Sequence, residues 1–220
     1  MTFGNFLTLI ETGGVVMYPL LLCSVIATAV VIERFWTIFR ATRSATQLHR
    51  VVGEIAAEGS ITELSAISRR DPSPLAAVYK AILGAGDADE EARERLARRY
   101  LGECSRYLKR NVWLLGTIGS LAPFIGLLGT VLGIIRSFES MAATGSGGFA
   151  VVAAGISEAL IATAGGLLVG VMAIFAYNAL QVRIANLTAI WRDWTEEVLA
   201  LTKPPRQRPE SVHRVLQSRG

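Results

Sequence analysis

Three long stretches of this chain contain almost no charged residues, and they restrict its fold more than any other feature. They run from Thr12 to Ile32, from Asn111 to Ile135 and from Ser140 to Val182. Each exceeds the roughly 20 apolar residues that a helix needs to cross a bilayer, and 51% of all residues are hydrophobic. The sequence therefore predicts an all-α membrane protein with three transmembrane helices and long cytoplasmic helical extensions.

Positive charge is distributed unevenly around these stretches. Lys and Arg are frequent between the first two stretches and after the third, whereas the N-terminus and the Ser140–Gly148 segment contain none. Because positively charged loops stay in the cytoplasm, we expect the N-terminus in the periplasm and the C-terminus in the cytoplasm. Arg136 departs from this distribution, and it either snorkels to the outer interface or pairs with Glu139 at i+3.

These boundaries divide the chain into eight segments. The predicted segments are an N-terminal outer-face amphipathic helix (1–14), transmembrane helix 1 (15–36), a cytoplasmic helical loop (37–110), transmembrane helix 2 (111–138), a short periplasmic loop (139–149), transmembrane helix 3 (150–180), a cytoplasmic helical extension (181–203) and a disordered tail (204–220).

The cytoplasmic loop is expected to contain three helices. Ser44–Ala57 and Ser73–Leu83 have helical patterns and are separated by a turn at Asp71-Pro72. A third helix is expected to run from Asp89 through Lys109 into the second span without a break. The third span continues past the membrane with apolar residues at helical spacing, which predicts that the cytoplasmic extensions pack on each other or on neighbouring subunits.

Several functional classes are disfavoured by composition and spacing. The net charge of +4 comes from basic residues that alternate with acidic ones, which is typical of solvated helix faces rather than of nucleic-acid binding. Cys23 and Cys104 lie in different predicted compartments, so we expect two unpaired thiols. His49 and His213 lack metal-ligand spacing, and neither a nucleophile motif nor a phosphate loop is present. We expect no enzymatic activity, cofactor or metal.

A single acid, Glu158, lies within the third uncharged stretch. An ionised carboxylate at membrane depth costs about 2.5 to 3.5 kcal/mol on insertion scales, so such groups usually face a bundle interior or a water path. Glu158 is therefore a candidate functional residue, and the alternative is a structural acid that burial keeps neutral. A single acid does not make a complete ion path, which indicates that a partner polypeptide or a ring of identical subunits supplies the rest.

Small residues form a stripe along each of the last two spans. The stripes comprise Gly119, Pro123, Gly126, Thr130, Gly133 and Ser137 in the second span, and Gly155, Ala159, Ala162, Gly166, Gly170 and Ala173 in the third. Such stripes let membrane helices approach closely, and helix packing is the main interpretation of the glycines.

Two threonines lie in these spans, and one of them, Thr130, belongs to the first stripe. Thr130 and Thr163 either bond to their own helices or join Glu158 in a hydrated polar track. Counting about 1.5 Å per residue from the outer ends of the spans places Thr130 at the depth of Glu158, with Thr163 deeper.

Two segments resemble a known family. The segment APFIGLLGTVLGII at 122–135 is similar to the second-span signature of ExbB and TolQ, and VVAAGISEALIATA at 151–164, followed by Ala176-Tyr177-Asn178, resembles their third-span signature. The chain therefore resembles the MotA/TolQ/ExbB proton channel family. The specific resemblance covers about residues 112–180. Met172 stands where that family commonly has proline, and Gly165-Gly166 where one glycine is usual, so a proline kink is not expected here.

This resemblance implies a complex in the bacterial inner membrane. Identical subunits would form a homo-oligomer, in this family a pentameric ring, around the helices of an ExbD- or TolR-like dimer whose single span carries an aspartate. Glu158, Thr130 and Thr163 would belong to the proton path that faces this partner. Proton flow would then drive a TonB- or TolA-like transducer.

Two alternatives stay open. A MotA-like flagellar stator usually has four spans and a larger cytoplasmic domain, whereas this chain has three candidate spans. A non-conducting membrane scaffold would use Glu158 only to stabilise assembly. Replacing Glu158 by Gln separates the scaffold from the proton channel, because a scaffold should still assemble and function.

Overall fold

A computed structural model describes residues 14–58, 64, 66–68, 71–86, 88–144 and 149–202. Its helices are α1 (Met17–Glu58), α2 (Pro74–Leu83), α3 (Glu90–Lys109), α4 (Val112–Thr144) and α5 (Phe149–Leu201). These described ranges contain no β-strand, which agrees with the predicted all-α class. The amphipathic helix predicted at 1–14, the tail predicted at 204–220 and His213 lie outside the described residues, apart from Gly14.

Three helices are long and apolar enough to cross a membrane, as the sequence predicts. The candidate spans are Met17–Ala56, Val112–Ala142 and Val152–Leu201. At about 1.5 Å per residue, α1 and α5 each exceed twice the roughly 30 Å hydrocarbon thickness of a bilayer. The protein is therefore a multi-pass membrane protein in which two helices extend well beyond the length that a span requires.

The helix predicted at Ser44–Ala57 is not a separate element. It is the distal part of α1, which continues without interruption from the first span. No glycine or proline occurs between Glu33 and Val52, so the sequence contains nothing there that would end a helix.

The expected continuous helix from Asp89 into the second span is wrong. α3 ends at Lys109, and Asn111 has φ 61° before α4 begins at Val112. Asparagine is one of the few residues that adopts this left-handed conformation at low cost. At the other end, α4 continues to Thr144, so the described part of the predicted loop at 139–149 is mostly helical.

The chain divides into two compact units. Unit 1 comprises Met1–Glu33 and Asn111–Leu180, and unit 2 comprises Arg34–Arg110 and Gln181–Gly220. Unit 1 therefore contains the start of α1, all of α4 and the first part of α5.

Within unit 2, α2 and α3 begin at side-chain caps. The Ser73 hydroxyl accepts a hydrogen bond from the Ala76 amide at 3.2 Å, and the Asp89 carboxylate accepts one from the Ala92 amide at 2.7 Å. Both caps satisfy amides that the first helical turn leaves without partners. The predicted helix at Ser73–Leu83 is confirmed.

The outer face of α3 is charged and solvated. Arg95 and Glu91 form an i,i+4 ion pair at 2.9 Å, and Arg99 and Glu103 form another at 3.4 Å. Exposed pairs of this kind add little stability. The opposite face buries Ala97, Cys104 and Leu108, which holds α3 to the rest of unit 2.

Arg34 is buried in unit 2 with 3% of its surface exposed. Its Nη1 atom donates to the carbonyl oxygen of Tyr107 at 3.0 Å, in the last turn of α3. A cation is favourable at this end of a helix, where carbonyl groups lack helical partners. Sequence analysis missed this residue because its role depends on a contact 73 positions away.

His49 joins three helices of unit 2. Its ring stacks on Trp194 with centroids 4.3 Å apart, while Nδ1 lies 3.1 Å from the Tyr79 hydroxyl and Nε2 lies 3.5 Å from the Glu197 carboxylate. Burial, and then the negative charge of Glu197, raise the pKa of Tyr79 far above its ordinary value. The phenol therefore stays protonated at any physiological pH and keeps its hydrogen for this cluster.

Candidate functional site

Two of the three predicted polar residues meet between α4 and α5 in unit 1. Thr163 Oγ1 lies 3.0 Å from the carbonyl oxygen of Gly126 and 3.3 Å from Thr130 Oγ1. Thr130 Oγ1 in turn donates to the carbonyl oxygen of Leu127 at 2.6 Å. The single hydroxyl hydrogen of Thr163 can donate to either of its two neighbours, so the pair forms a short hydrogen-bonded chain across the helix contact.

Glycines allow this contact. A Cβ atom added at Gly166 would lie 2.6 Å from the Ala122 carbonyl oxygen and 2.8 Å from the Gly126 Cα. A Cβ atom at Gly126 would lie 3.0 Å from the Thr163 Cα. Backbone thus packs directly on backbone, which brings the Thr163 hydroxyl within reach of a carbonyl group on the neighbouring helix.

The remaining stripe residues continue the same antiparallel contact. Toward one end of the spans, Gly119 faces Ile174 and Gly170 faces Pro123, and toward the other, Gly133 faces Ala159 and Gly155 faces Ser137. At Gly155 an added Cβ atom would overlap the Ser137 hydroxyl. The structure therefore places the six glycines of the two stripes, together with Pro123, on one α4–α5 seam.

Glu158 lies apart from the threonine pair. It precedes Thr163 by five residues, which is about 7.5 Å along a helix, and its side chain is exposed on the single chain. The expected equal depth of Thr130 and Glu158 is wrong, because Thr130 lies level with Thr163. The error arises from the C-terminal end of α4, which continues to Thr144 rather than ending at 138.

A cavity of about 280 Å³ in unit 1 contains Glu158 in its wall. We call it the Glu158 cavity. Its described lining residues are Gly14, Val15, Val16, Gly129, Leu132, Gly133, Arg136, Ser137, Ser140, Ala154, Gly155, Glu158 and Ala159. Neither Thr130 nor Thr163 lines it, so the three predicted residues do not form one continuous track within a single chain.

Arg136 is the positive group of this cavity. Its Nη1 atom lies 3.7 Å from the position of a Cβ atom added at Gly14, next to the start of α1. Among the described ion pairs none joins Arg136 to Glu139, as the i+3 spacing suggested, and none joins it to Glu158. Arg136 is unusual in the sequence, but nothing in the sequence indicates that it lines the same cavity as Glu158.

Metal binding has no visible basis in the part of the chain that the structure describes. No group of three or more His, Cys, Asp or Glu side chains there could hold a metal ion. The polar groups of the site are a carboxylate, hydroxyls and a guanidinium that stays protonated, and they offer no nitrogen or sulfur ligand set.

The chain was compared with protein-family models and with curated proteins. The model of the MotA/TolQ/ExbB proton channel family matches residues 70–193, more than half of the chain. The chain belongs to the MotA/TolQ/ExbB proton channel family. The matched range includes all of α4 and every predicted site residue on α5, so the Glu158 cavity and the threonine pair lie largely within the region that defines membership of this family.

Named relatives support the same membership. The biopolymer transport protein ExbB of Pseudomonas putida is 34% identical over 196 residues, which cover 85% of this chain and 59% of that protein. The Tol-Pal system protein TolQ of Pseudomonas aeruginosa is 37% identical over 115 residues, covering 52% of this chain and 50% of TolQ.

Coverage differs between the relatives of this family member. A putative biopolymer transport protein ExbB-like 3 of Synechocystis is 30% identical over 207 residues, covering 90% of this chain and 95% of that protein. By contrast, the chain spans 59% of the length of the Pseudomonas putida ExbB and 43% of that of the Salmonella typhimurium ExbB.

Proposed function

We propose that this chain is the proton-channel subunit of an energy-transducing motor in the bacterial inner membrane. Identical copies assemble as a pentameric ring around an ExbD- or TolR-like dimer with a membrane aspartate, and proton flow drives a TonB- or TolA-like transducer. In this arrangement the N-terminus is periplasmic and the C-terminus cytoplasmic. The chain has no enzymatic role in the proposal, and the energy comes from the membrane gradient.

The exposure of Glu158 carries this proposal. A carboxylate in an apolar span is costly where it meets lipid, so its exposed side must face water or another polypeptide in the assembled protein. A second chain with an acidic span residue would cover Glu158 and exchange protons with it. Each elementary charge that crosses 100 mV releases about 2.3 kcal/mol, so repeated proton passages can power a conformational cycle.

The threonine pair supports a path that continues beyond Glu158. About 7.5 Å along α5 separates Glu158 from Thr163, which is too far for a direct hydrogen bond. Water or the partner's acid would bridge this interval. From there, the Thr163 and Thr130 hydroxyls offer hydrogen-bonding groups that a proton carrier can contact at the α4–α5 seam.

A Glu158→Gln variant tests the proposal. The chain, copurified with an ExbD- or TolR-like one-span protein, is placed in liposomes, and proton flux is followed with an internal pH-sensitive dye under an imposed gradient. We expect E158Q to assemble at the wild-type mass and to lose at least nine-tenths of the flux. Glu139→Gln is the matched control, because Glu139 is exposed on α4 and does not line the Glu158 cavity.

The scaffold alternative gives a different result. If E158Q assembles, conducts protons and supports gradient-driven work as the wild type does, the chain is a structural component and the motor proposal fails. Native mass spectrometry of the same preparation tests the stoichiometry, because a ring of five subunits around two partner chains has a defined mass.

A further inference from the structure

Most of the charged residues in the last two spans lie at one place. Between Asn111 and Leu180 the sequence contains only Arg136, Glu139 and Glu158 as charged residues. Two of these three, Arg136 and Glu158, line the same cavity of about 280 Å³. An arginine within an apolar span is itself costly, and such residues usually have a function.

Apart from Arg136, the polar side chains that line the cavity carry oxygen atoms. The Glu158 carboxylate and the hydroxyls of Ser137 and Ser140 are oxygen groups in its wall. Ser137 donates its hydrogen to the Gly133 carbonyl oxygen at 2.8 Å, which leaves its oxygen lone pairs able to accept. Hard cations bind where several such oxygens converge.

Arg136 changes this chemistry in two ways. Its positive charge acts against sodium and protons alike, whereas its N–H groups donate but cannot accept, so one side of the wall supplies no oxygen ligand for a metal cation. A sodium ion must exchange part of its hydration shell for several protein oxygens. A proton needs only one, because it forms a covalent O–H bond with a carboxylate and can arrive along hydrogen-bonded water.

We propose that Arg136 is a specificity-determining residue that makes the Glu158 cavity admit protons and exclude sodium. This inference rests on the proposed channel function and adds to it the residue that excludes sodium. The volume is sufficient for several water molecules, each of which occupies about 30 Å³ in the liquid, so the cavity can hold the hydrogen-bonded water that a proton requires.

The experiment compares two ions in the same liposomes. The full complex is reconstituted, proton flux is measured in choline chloride and in sodium chloride, and uptake of radioactive sodium is measured in parallel. For the wild type we expect proton flux to change less than twofold between the two salts and sodium uptake to equal that of protein-free vesicles. For Arg136→Gln, which removes the charge and adds an oxygen, we expect sodium uptake at least tenfold above wild type.

Two controls separate charge in the cavity from charge elsewhere. Arg136→Lys keeps the positive charge and the donor chemistry, so it should exclude sodium as the wild type does. Arg183→Gln removes the same charge from an exposed position on α5 that does not line the cavity, and it should also keep wild-type selectivity. Arg136→Ser provides a second neutral variant with an oxygen if the Gln variant does not assemble.

The outcomes distinguish this inference from the proposed function. The role of Arg136 is overturned if the wild type takes up sodium. It is also overturned if R136Q or R136S conducts protons and takes up no more sodium than the wild type does. Sodium uptake by R136K overturns it as well, because a side chain with donors and no acceptor oxygen would then not be enough to exclude sodium. Wild-type proton flux through E158Q instead overturns the channel function, whatever the Arg136 variants do.

Discussion

The Thr163 hydroxyl lies 3.0 Å from the Gly126 carbonyl oxygen, on a different helix. Most threonines in membrane helices bond to a carbonyl group of their own preceding turn, as Thr117 does with Trp113 at 3.2 Å. Thr163 instead bonds across the α4–α5 seam, where Gly126 and Gly166 remove the side chains that would keep the helices apart. Its hydroxyl therefore contributes to the helix contact, and in the proposed channel it is also part of the polar path.

Replacing Thr163 by valine tests these two roles together. Valine has nearly the same shape but no hydroxyl, so the variant loses the contacts to Gly126 and Thr130. We expect the free energy of unfolding in detergent to fall by about 1 kcal/mol, the typical net value of one hydrogen bond, and proton flux in liposomes to fall at least several-fold. Thr117→Val is the control, since its exposed hydroxyl bonds only within α4. Equal flux in the two variants would contradict a role for Thr163 in the path.

Neighbouring glycines of α5 should respond differently to the addition of one methyl group. In Gly166→Ala the new Cβ atom would lie 2.6 Å from a backbone oxygen of α4, which cannot move without separating the helices. We expect a loss of about 1 to 3 kcal/mol of stability, as for overpacked cores, and a lower melting temperature in detergent. In Gly165→Ala the nearest atoms belong to the Met17 side chain at 3.7 Å, so this variant should melt like the wild type. Equal melting temperatures of the two variants would show that the α4–α5 contact at Gly166 has room for a methyl group.

Much of unit 1 could be predicted from the sequence, because the patterns that indicate its helices and their contact involve residues close together in the chain. Runs without charge identify the three long helices, and small residues at steps of three and four identify the faces of α4 and α5 that meet. Glu158 is conspicuous as a single acid in one of those runs. In each case the physical cause, the cost of charge in lipid or the close approach of backbones, acts on residues that are near in sequence.

Other features could not be predicted because they depend on long-range contacts or on one backbone angle. The break at Asn111 follows from φ 61° at a single residue, and the sequence around it contains no proline or glycine that would have indicated it. The depth of Thr130 along the helix contact depends on where α4 ends. Arg136 and Glu158 line one cavity only because of the way α4 packs on α5 and α1. The oligomeric state, the orientation and the roles of Glu158, Thr130 and Thr163 in conduction stay predictions.

Arg34 should be important for the stability of unit 2. It is 3% exposed and donates to the Tyr107 carbonyl oxygen in the last turn of α3. Replacing it with methionine keeps most of the packing but removes the charged donor, so we expect a loss of about 1.5 to 3 kcal/mol, the range for hydrogen bonds to charged groups. Chemical denaturation in detergent measures the change. Arg40→Met is the matched control, because Arg40 is exposed on the same helix, and equal stability of the two variants would contradict this role for Arg34.

Cys104 should remain a protonated thiol at neutral pH. Burial, together with the negative charge of Glu103, raises the pKa of Cys104 from its ordinary value of 9.0 to about 11. The Sγ atom also lies 3.1 Å from the Pro74 carbonyl oxygen, to which the thiol donates. Because the thiolate is the reactive form, a maleimide should label Cys104 in a Cys23→Ala background at least tenfold more slowly in the folded protein than after denaturation at pH 8.

The same raised pKa predicts how stability depends on pH. The folded state holds the Cys104 proton more tightly than the unfolded state, so this contribution is fully present below about pH 9 and is lost as the pH rises from 9 toward 11. Other groups titrate in this range, and the difference in unfolding free energy between wild type and Cys104→Ala isolates the thiol. We expect that difference to shrink steadily between pH 9 and 11. A constant difference would mean that water reaches the thiol between α2 and α3 and that the contact with Pro74 is not maintained in solution.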